Sequence, residues 1–111
     1  MGRWETQLRK GVVELAVLAT IAEQGEAYGY KIVERLQRLD GLELTESTVY
    51  PVLTRLARDG SLAVRTEASP SGPPRRYYRL TEGGREHFRR MAGSWRTVVK
   101  SLSGLLEGAP T

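Results

Sequence analysis

Apolar residues recur at helical spacing in four stretches of this chain, and two short strand-like runs lie between the third and the fourth. Over residues 4–24, Leu8, Val12, Leu15, Ala19 and Ala22 follow one another at intervals of four and three, which draws one stripe down an α-helix. Val13, Val17, Leu18 and Ile21 form a second set on another face. A helix apolar on two faces is not stable on the surface of a small monomer, so it is expected to be sandwiched, either within its own domain or against a partner. Gly25 supplies its stop.

A second helix is predicted over residues 28–39, with Ile32, Leu36 and Leu39 on one face, Val33 beside them, and Asp40-Gly41 as the closing turn. Leu42-Glu43-Leu44 reads as a short extended piece, and Thr45-Glu46-Ser47-Thr48 as a run of N-cap candidates. The third helix, residues 46–59, buries Val49, Leu53 and Leu56 and ends at Gly60. Pro51 is awkward inside it, because proline is easily accommodated only in a first turn, which favours a start near Ser47. Residues 62–67 and 75–80 are predicted strands around the loop Ala68-Ser69-Pro70-Ser71-Gly72-Pro73-Pro74, together a β-hairpin with a long tip over residues 62–80. Thr81 caps a last helix over residues 81–107, weakened at its start by Gly83 and Gly84. Along it Phe88, Met91, Trp95, Val98, Leu102 and Leu105 alternate spacings of three and four, a heptad seam. Residues 108–111 read as a frayed tail.

A chain of 111 residues holds one core. The absence of cysteine removes disulfides, thiolate nucleophiles and cysteine-bound zinc, and suits a reducing interior. The apolar run at residues 15–19 is far short of the ~20 residues of a membrane span, and no signal-peptide pattern opens the chain, so a cytoplasmic protein is expected. The formal charge of +4 and pI near 9.8 favour polyanionic partners. Position sharpens this: residues 45–80 carry Arg55, Arg58, Arg65, Arg75, Arg76 and Arg79 against Glu46, Asp59 and Glu67.

Three helices, a hairpin and a fourth helix make a winged helix-turn-helix, mainly α with a small β-hairpin (α+β), in which residues 1–80 bind DNA and residues 81–107 add a C-terminal dimerisation helix. Helix three would enter the major groove with its N-terminal residues nearest the base edges. Ser47, Thr48 and Tyr50 open it as hydrogen-bonding candidates, and the planar fork of Arg55 fits a guanine edge or a phosphate. Ser47 and Thr48 also suit a purely capping role, and the two roles are compatible. Arg75 and Arg76 follow Pro73-Pro74 at the wing, where they either meet phosphates or deter strand-edge aggregation. Tyr28 and Lys31 stand at the start of helix two, placed for the DNA backbone, although one of the rings of Tyr28 and Tyr30 is expected to pack. Leu8, Val12 and Leu15 on the first helix and Met91, Trp95, Val98, Leu102 and Leu105 on the last are the candidate homodimer interface. Trp95 either fills that interface or, with its symmetry mate, sandwiches a planar aromatic molecule. Catalysis is poorly supported: His87 is the single histidine, read as lying on a helix surface among Arg85, Arg89 and Arg90, with no metal or triad partners. No cofactor is expected.

Three blocks resemble the PadR family of transcriptional regulators. They are residues 8–18 with Tyr28-Gly29-Tyr30-Lys31-Ile32; Ser47-Thr48-Val49-Tyr50-Pro51-Val52-Leu53 with Arg55-Leu56 and Asp59-Gly60; and Gly72-Pro73-Pro74-Arg75-Arg76-Tyr77-Tyr78-Arg79-Leu80-Thr81-Glu82-Gly83-Gly84. The resemblance implies a homodimer made by the first and last helices, repression of nearby genes, and release by a small aromatic or drug-like effector or a stress signal. It makes Pro51 an accepted feature, sets Ser47, Thr48 and Tyr50 on the recognition helix and Arg75 and Arg76 at the wing. The single last helix looks like the short-tailed branch, some of whose multidrug-sensing members carry a tryptophan at the place of Trp95. The chain departs from the family at Ser61, where an apolar residue is usual, and in its short tail. From a different class, the competing expectation is a winged-helix module that binds a protein instead of DNA.

Overall fold

Burial of the second apolar face of the first helix organises the molecule. The computed structural model describes residues 2–110, in the order α1 (Arg3–Gln24), β1 (Glu26–Tyr28), α2 (Gly29–Gln37), α3 (Glu46–Arg58), β2 (Leu62–Glu67), β3 (Arg75–Leu80) and α4 (Glu82–Gly108). Met1 and Thr111, the ends of the expected DNA-binding domain and tail, lie outside the described residues. Val17, Leu18 and Ile21 of α1 are wholly enclosed by Ile32, Val33 and Leu36 of α2, Val49, Leu53 and Leu56 of α3, and Leu62, Tyr78 and Leu80 of the sheet. Each such aliphatic side chain is worth roughly 1.5–3 kcal/mol when fully buried. The architecture is α+β, as the element pattern predicted.

Three local readings change. A third strand is present: the sheet order is β1-β3-β2, all antiparallel, with Ala27 opposite Tyr78 and Tyr28 opposite Tyr77. Tyr28 therefore has extended backbone (φ −89°, ψ 147°) and precedes α2, so the helix predicted over residues 28–39 begins one residue later. It also ends early, at Gln37, because the chain turns there: the N–H groups of Leu42 and Glu43 both donate to the Leu39 carbonyl. Leu42-Glu43-Leu44 is consequently no strand. Glu43 adopts φ +44°, and this left-handed residue lets Leu44 reach the core.

α3 starts at Glu46, with Thr45 in the N-cap position but without a capping side-chain bond; the Thr45 hydroxyl lies 3.0 Å from that of Ser47 instead. Pro51 sits inside the helix. The missing N–H leaves the Ser47 carbonyl without its helical donor, which the exposed position of Ser47 lets water replace.

The start of α4 is fixed by a close backbone approach. Thr81 caps it, with the Gly84 N–H donating to Thr81 Oγ1 at 3.0 Å. The Thr81 hydroxyl donates in turn to the Gly60 carbonyl at 2.7 Å, and its N–H to the Ser61 carbonyl at 3.1 Å. A Cβ on Gly84 would stand 1.9 Å from the Ser61 carbonyl oxygen. Gly84 is thus what allows α4 to seat on the turn between α3 and β2, and the residue at position 61 contributes through its backbone. Beyond Ala92 every described residue of α4 is exposed, so the helix projects from the body and stretches the chain to 57 × 32 × 20 Å. No helix among the described residues is long and apolar enough to cross a membrane.

Gly84→Ala is expected to lower stability by about 1–3 kcal/mol through overpacking against a carbonyl that cannot retreat, despite the better helix propensity of alanine. Gly83→Ala meets no comparable obstacle and should be neutral or stabilise by up to about 1 kcal/mol. Urea unfolding of the two variants side by side measures the contrast.

Candidate nucleic-acid interface

With Val49, Leu53 and Leu56 turned inward, the 3.6-residue repeat brings Ser47, Tyr50, Pro51, Thr54 and Arg58 to the outward side of α3, with Thr48 on one flank. Tyr50 is anchored. Its ring lies over the start of α2, where a Cβ on Gly29 would come within 3.0 Å of Tyr50 Cε1. Burial, followed by the nearby Glu46 carboxylate, raises the Tyr50 phenol above its ordinary value of 10.0, which keeps it an O–H donor.

The wing closes the other side. Tyr30, Tyr50 and Thr54 line one groove with Ser69, Ser71, Gly72, Arg75 and Arg76, while Ser47, Tyr50 and Pro51 line an adjoining one with Gln37 and Thr45. Tyr50 belongs to both. Strand alternation separates the two wing arginines: Arg76 shares the sheet face of Tyr78 and Leu80, whereas Arg75 shares the outer face of Tyr77 and Arg79. The Arg75 guanidinium sits 5.0 Å from the Tyr28 ring centre. Tyr28 packs in turn against Tyr77 at 5.7 Å and Tyr30 at 6.1 Å. Arg65 lies 4.5 Å over Tyr77 and binds Glu26 and Glu67 at 2.8 and 2.6 Å. This ladder of rings and guanidinium groups stiffens the wing from outside, so the packed ring is Tyr28 and the freer one Tyr30. Lys31 is exposed, 3.5 Å from Glu34.

Arg55 lies apart from these groups. Its guanidinium bonds Glu14 of α1 at 2.5 Å and stands 3.7 Å from Asp59. The second oxygen of Glu14 lies 2.6 Å from His87 Nε2. An ionised carboxylate only accepts, so Nε2 carries the proton. His87 is therefore a half-buried residue with a carboxylate partner, where the sequence suggested a surface histidine without one. Burial pushes the Glu14 carboxyl up, but the hydrogen bonds from His87 and Arg55 and their charges outweigh it, leaving the group below its ordinary 4.5. Sequence reasoning passed over Thr54 and counted Arg58 only in the basic excess of residues 45–80. The signal for Glu14 was present as a lone carboxylate inside the apolar stretch of α1. Among the described residues, no cluster of three His, Asp or Glu is arranged to hold a metal ion.

The candidate dimer residues divide between a groove and a free helix. Leu8, Val12 and Leu15 of α1 and Met91, Trp95 and Val98 of α4 line one open groove, to which Trp4 and His87 also contribute. Trp95 is 44% exposed and borders a second apolar cleft of about 350 Å³ with Ala19, Leu39 and Leu42. Leu102 and Leu105 lie past the body, at 51% and 71% exposure.

A carboxylate whose acidity is strengthened by folding stabilises the protein above its unfolded pKa and loses that contribution as pH falls through its folded value. Glu14→Gln should accordingly lower stability near neutral pH and narrow the gap to wild type as pH drops below about 4. Thermal melts across that range measure it; a gap that stays constant into acid would remove Glu14 from the ion-paired state.

The PadR-like transcriptional regulator family model matches residues 17–90. The chain is 33% identical to a PadR family transcriptional regulator from Eggerthella lenta, covering 94% of this chain and 89% of that one with a TM-score of 0.78. A PadR-like transcriptional regulator from Bacillus cereus is also 33% identical, over 93% of this chain and 99% of that one, with a TM-score of 0.80. Bacillus subtilis PadR, solved in complex with operator DNA, matches 73% of this chain at 25% identity and a TM-score of 0.63, and this chain accounts for 46% of its length. On the extent of the family match and the 33% identity to two such regulators over most of both chains, the chain belongs to the PadR-like family of transcriptional regulators.

Proposed function

We propose that the protein is a homodimeric repressor that binds an inverted-repeat operator in duplex DNA, and that a small planar aromatic or drug-like molecule in the α1–α4 groove releases it. One observation carries the reading: the outward side of α3 and the wing lie on the same side of the molecule, bordering two adjoining grooves that share Tyr50. A major groove accepts a helix presented in this way. The Bacillus subtilis relative bound to operator DNA supports the same reading.

In this account Ser47, Thr48 and Tyr50 read base edges, joined by Thr54 and Arg58. Arg76 and Arg75 reach phosphates from the wing, and Tyr28 and Lys31 flank the DNA backbone at the start of α2. Arg55 is held by Glu14 and acts on α3 from behind. Pairing of the α1–α4 faces gives Leu8, Val12, Leu15, Met91, Trp95, Val98, Leu102 and Leu105 the cover they lack in one chain. It sets the two recognition helices about one DNA turn, ~34 Å, apart. Trp95 borders the groove that would take the effector.

Selection of bound duplexes from a random pool tests binding and symmetry together. Two half-sites in inverted orientation are expected, and a pool without enrichment refutes the reading. The double variant Arg75→Ala, Arg76→Ala should weaken binding to all duplexes and reduce the slope of log affinity against log salt by about 2. Trp95→Asp with Leu102→Asp should sediment as a monomer.

A further inference from the structure

We infer that Glu14 is a positioning residue for DNA recognition, which with His87 transmits the placement of α4, and hence of the dimer, to the recognition helix. The inference rests on the DNA-binding reading above. A charged side chain in the middle of the helix that organises the core is unfavourable unless it is paired and hydrogen-bonded. Only 22% of the Glu14 side chain remains exposed, and each of its oxygens is engaged once. Arg55, 41 residues along the chain, holds Oε1; His87, 73 residues along, holds Oε2. One carboxylate thus joins α1, α3 and α4 at a single point.

Each end of this join touches something functional. Arg55 follows Thr54 directly and precedes Arg58 by one helical turn, so its tie to Glu14 adds a polar restraint to the core packing that sets the rotation of α3. His87 has a second contact surface, since it lines the α1–α4 groove together with Leu8, Met91 and Trp95. Whatever settles in that groove, a partner helix or a small molecule, bears on the imidazole that holds Glu14. The structure holds the carboxylate shared between His87 and Arg55. The coupling requires a second arrangement, with the carboxylate held by Arg55 alone, in which the guanidinium and the outward side of α3 are placed differently. Such an ion pair in a purely structural role would affect folding without touching discrimination between DNA sequences.

The test uses the whole 111-residue chain, with the best duplex from the selection and a random duplex, titrated at several salt concentrations. Glu14→Gln, which retains shape and loses charge, is expected to reduce the selected-to-random affinity ratio by on the order of tenfold, a typical coupling strength. The salt slope should stay unchanged, because no phosphate contact is removed. His87→Gln, on a less enclosed side chain, should reduce the ratio by less and have no further effect in the Glu14→Gln background, the non-additivity of groups acting in one network. Circular dichroism and sedimentation verify that the variants fold and assemble. An unchanged ratio in both single variants, or full additivity of the two, overturns the positioning role while leaving DNA binding intact. A wild-type protein with no preference for any duplex overturns the DNA-binding reading itself.

Discussion

The structure depends on the sandwiching of α1 between two sets of neighbours. One side of this helix, Val17, Leu18 and Ile21, is the centre of the core and meets α2, α3 and the sheet. The other, Leu8, Val12 and Leu15, faces α4 and an open groove. A single helix therefore belongs both to the body that carries α3 and to the open apolar groove along α4. Close packing makes such a shared element a stiff connector, because interdigitated side chains transmit displacement with little slack.

The two ends of the molecule are built by different means. At the α4 end, the helix relies on its contact with α1 and on the seat at Ser61 and Thr81, and its second half has no cover among the described residues. At the nucleic-acid end, α3 is held from the core and the wing is stiffened by Arg75 over Tyr28 and Arg65 over Tyr77. A braced wing loses less conformational entropy on docking than a free loop, and the Pro73-Pro74 pair works in the same direction.

Polar interactions are sparse where they bridge helices, which gives the Glu14 carboxylate its weight. Most ion pairs here are exposed or local along the chain, such as Lys31 with Glu34 and Arg90 with Glu86, and contribute little. The bonds from Glu14 to Arg55 and His87 are long-range in sequence and partly shielded from water, so loss of one partner leaves a charge poorly solvated. This asymmetry makes a single side chain informative about how α4 and α3 are related.

Periodicity along the chain was sufficient to determine the four helices, the wing hairpin and the inward positions of α3. Those features follow from which face of a local element is apolar, and a local repeat carries that information completely. The tertiary structure alone decided the pairing of Glu26–Tyr28 with β3, the left-handed turn at Glu43, the opposite facing of Arg75 and Arg76, and the engagement of Arg55 by Glu14. A three-residue strand has too few positions to show a pattern before its partner supplies the hydrogen bonds. Likewise, an arginine on a helix flank is equally suited to phosphate or carboxylate. Its choice depends on which charge the fold brings near, a fact of distance in space that spacing in sequence does not encode.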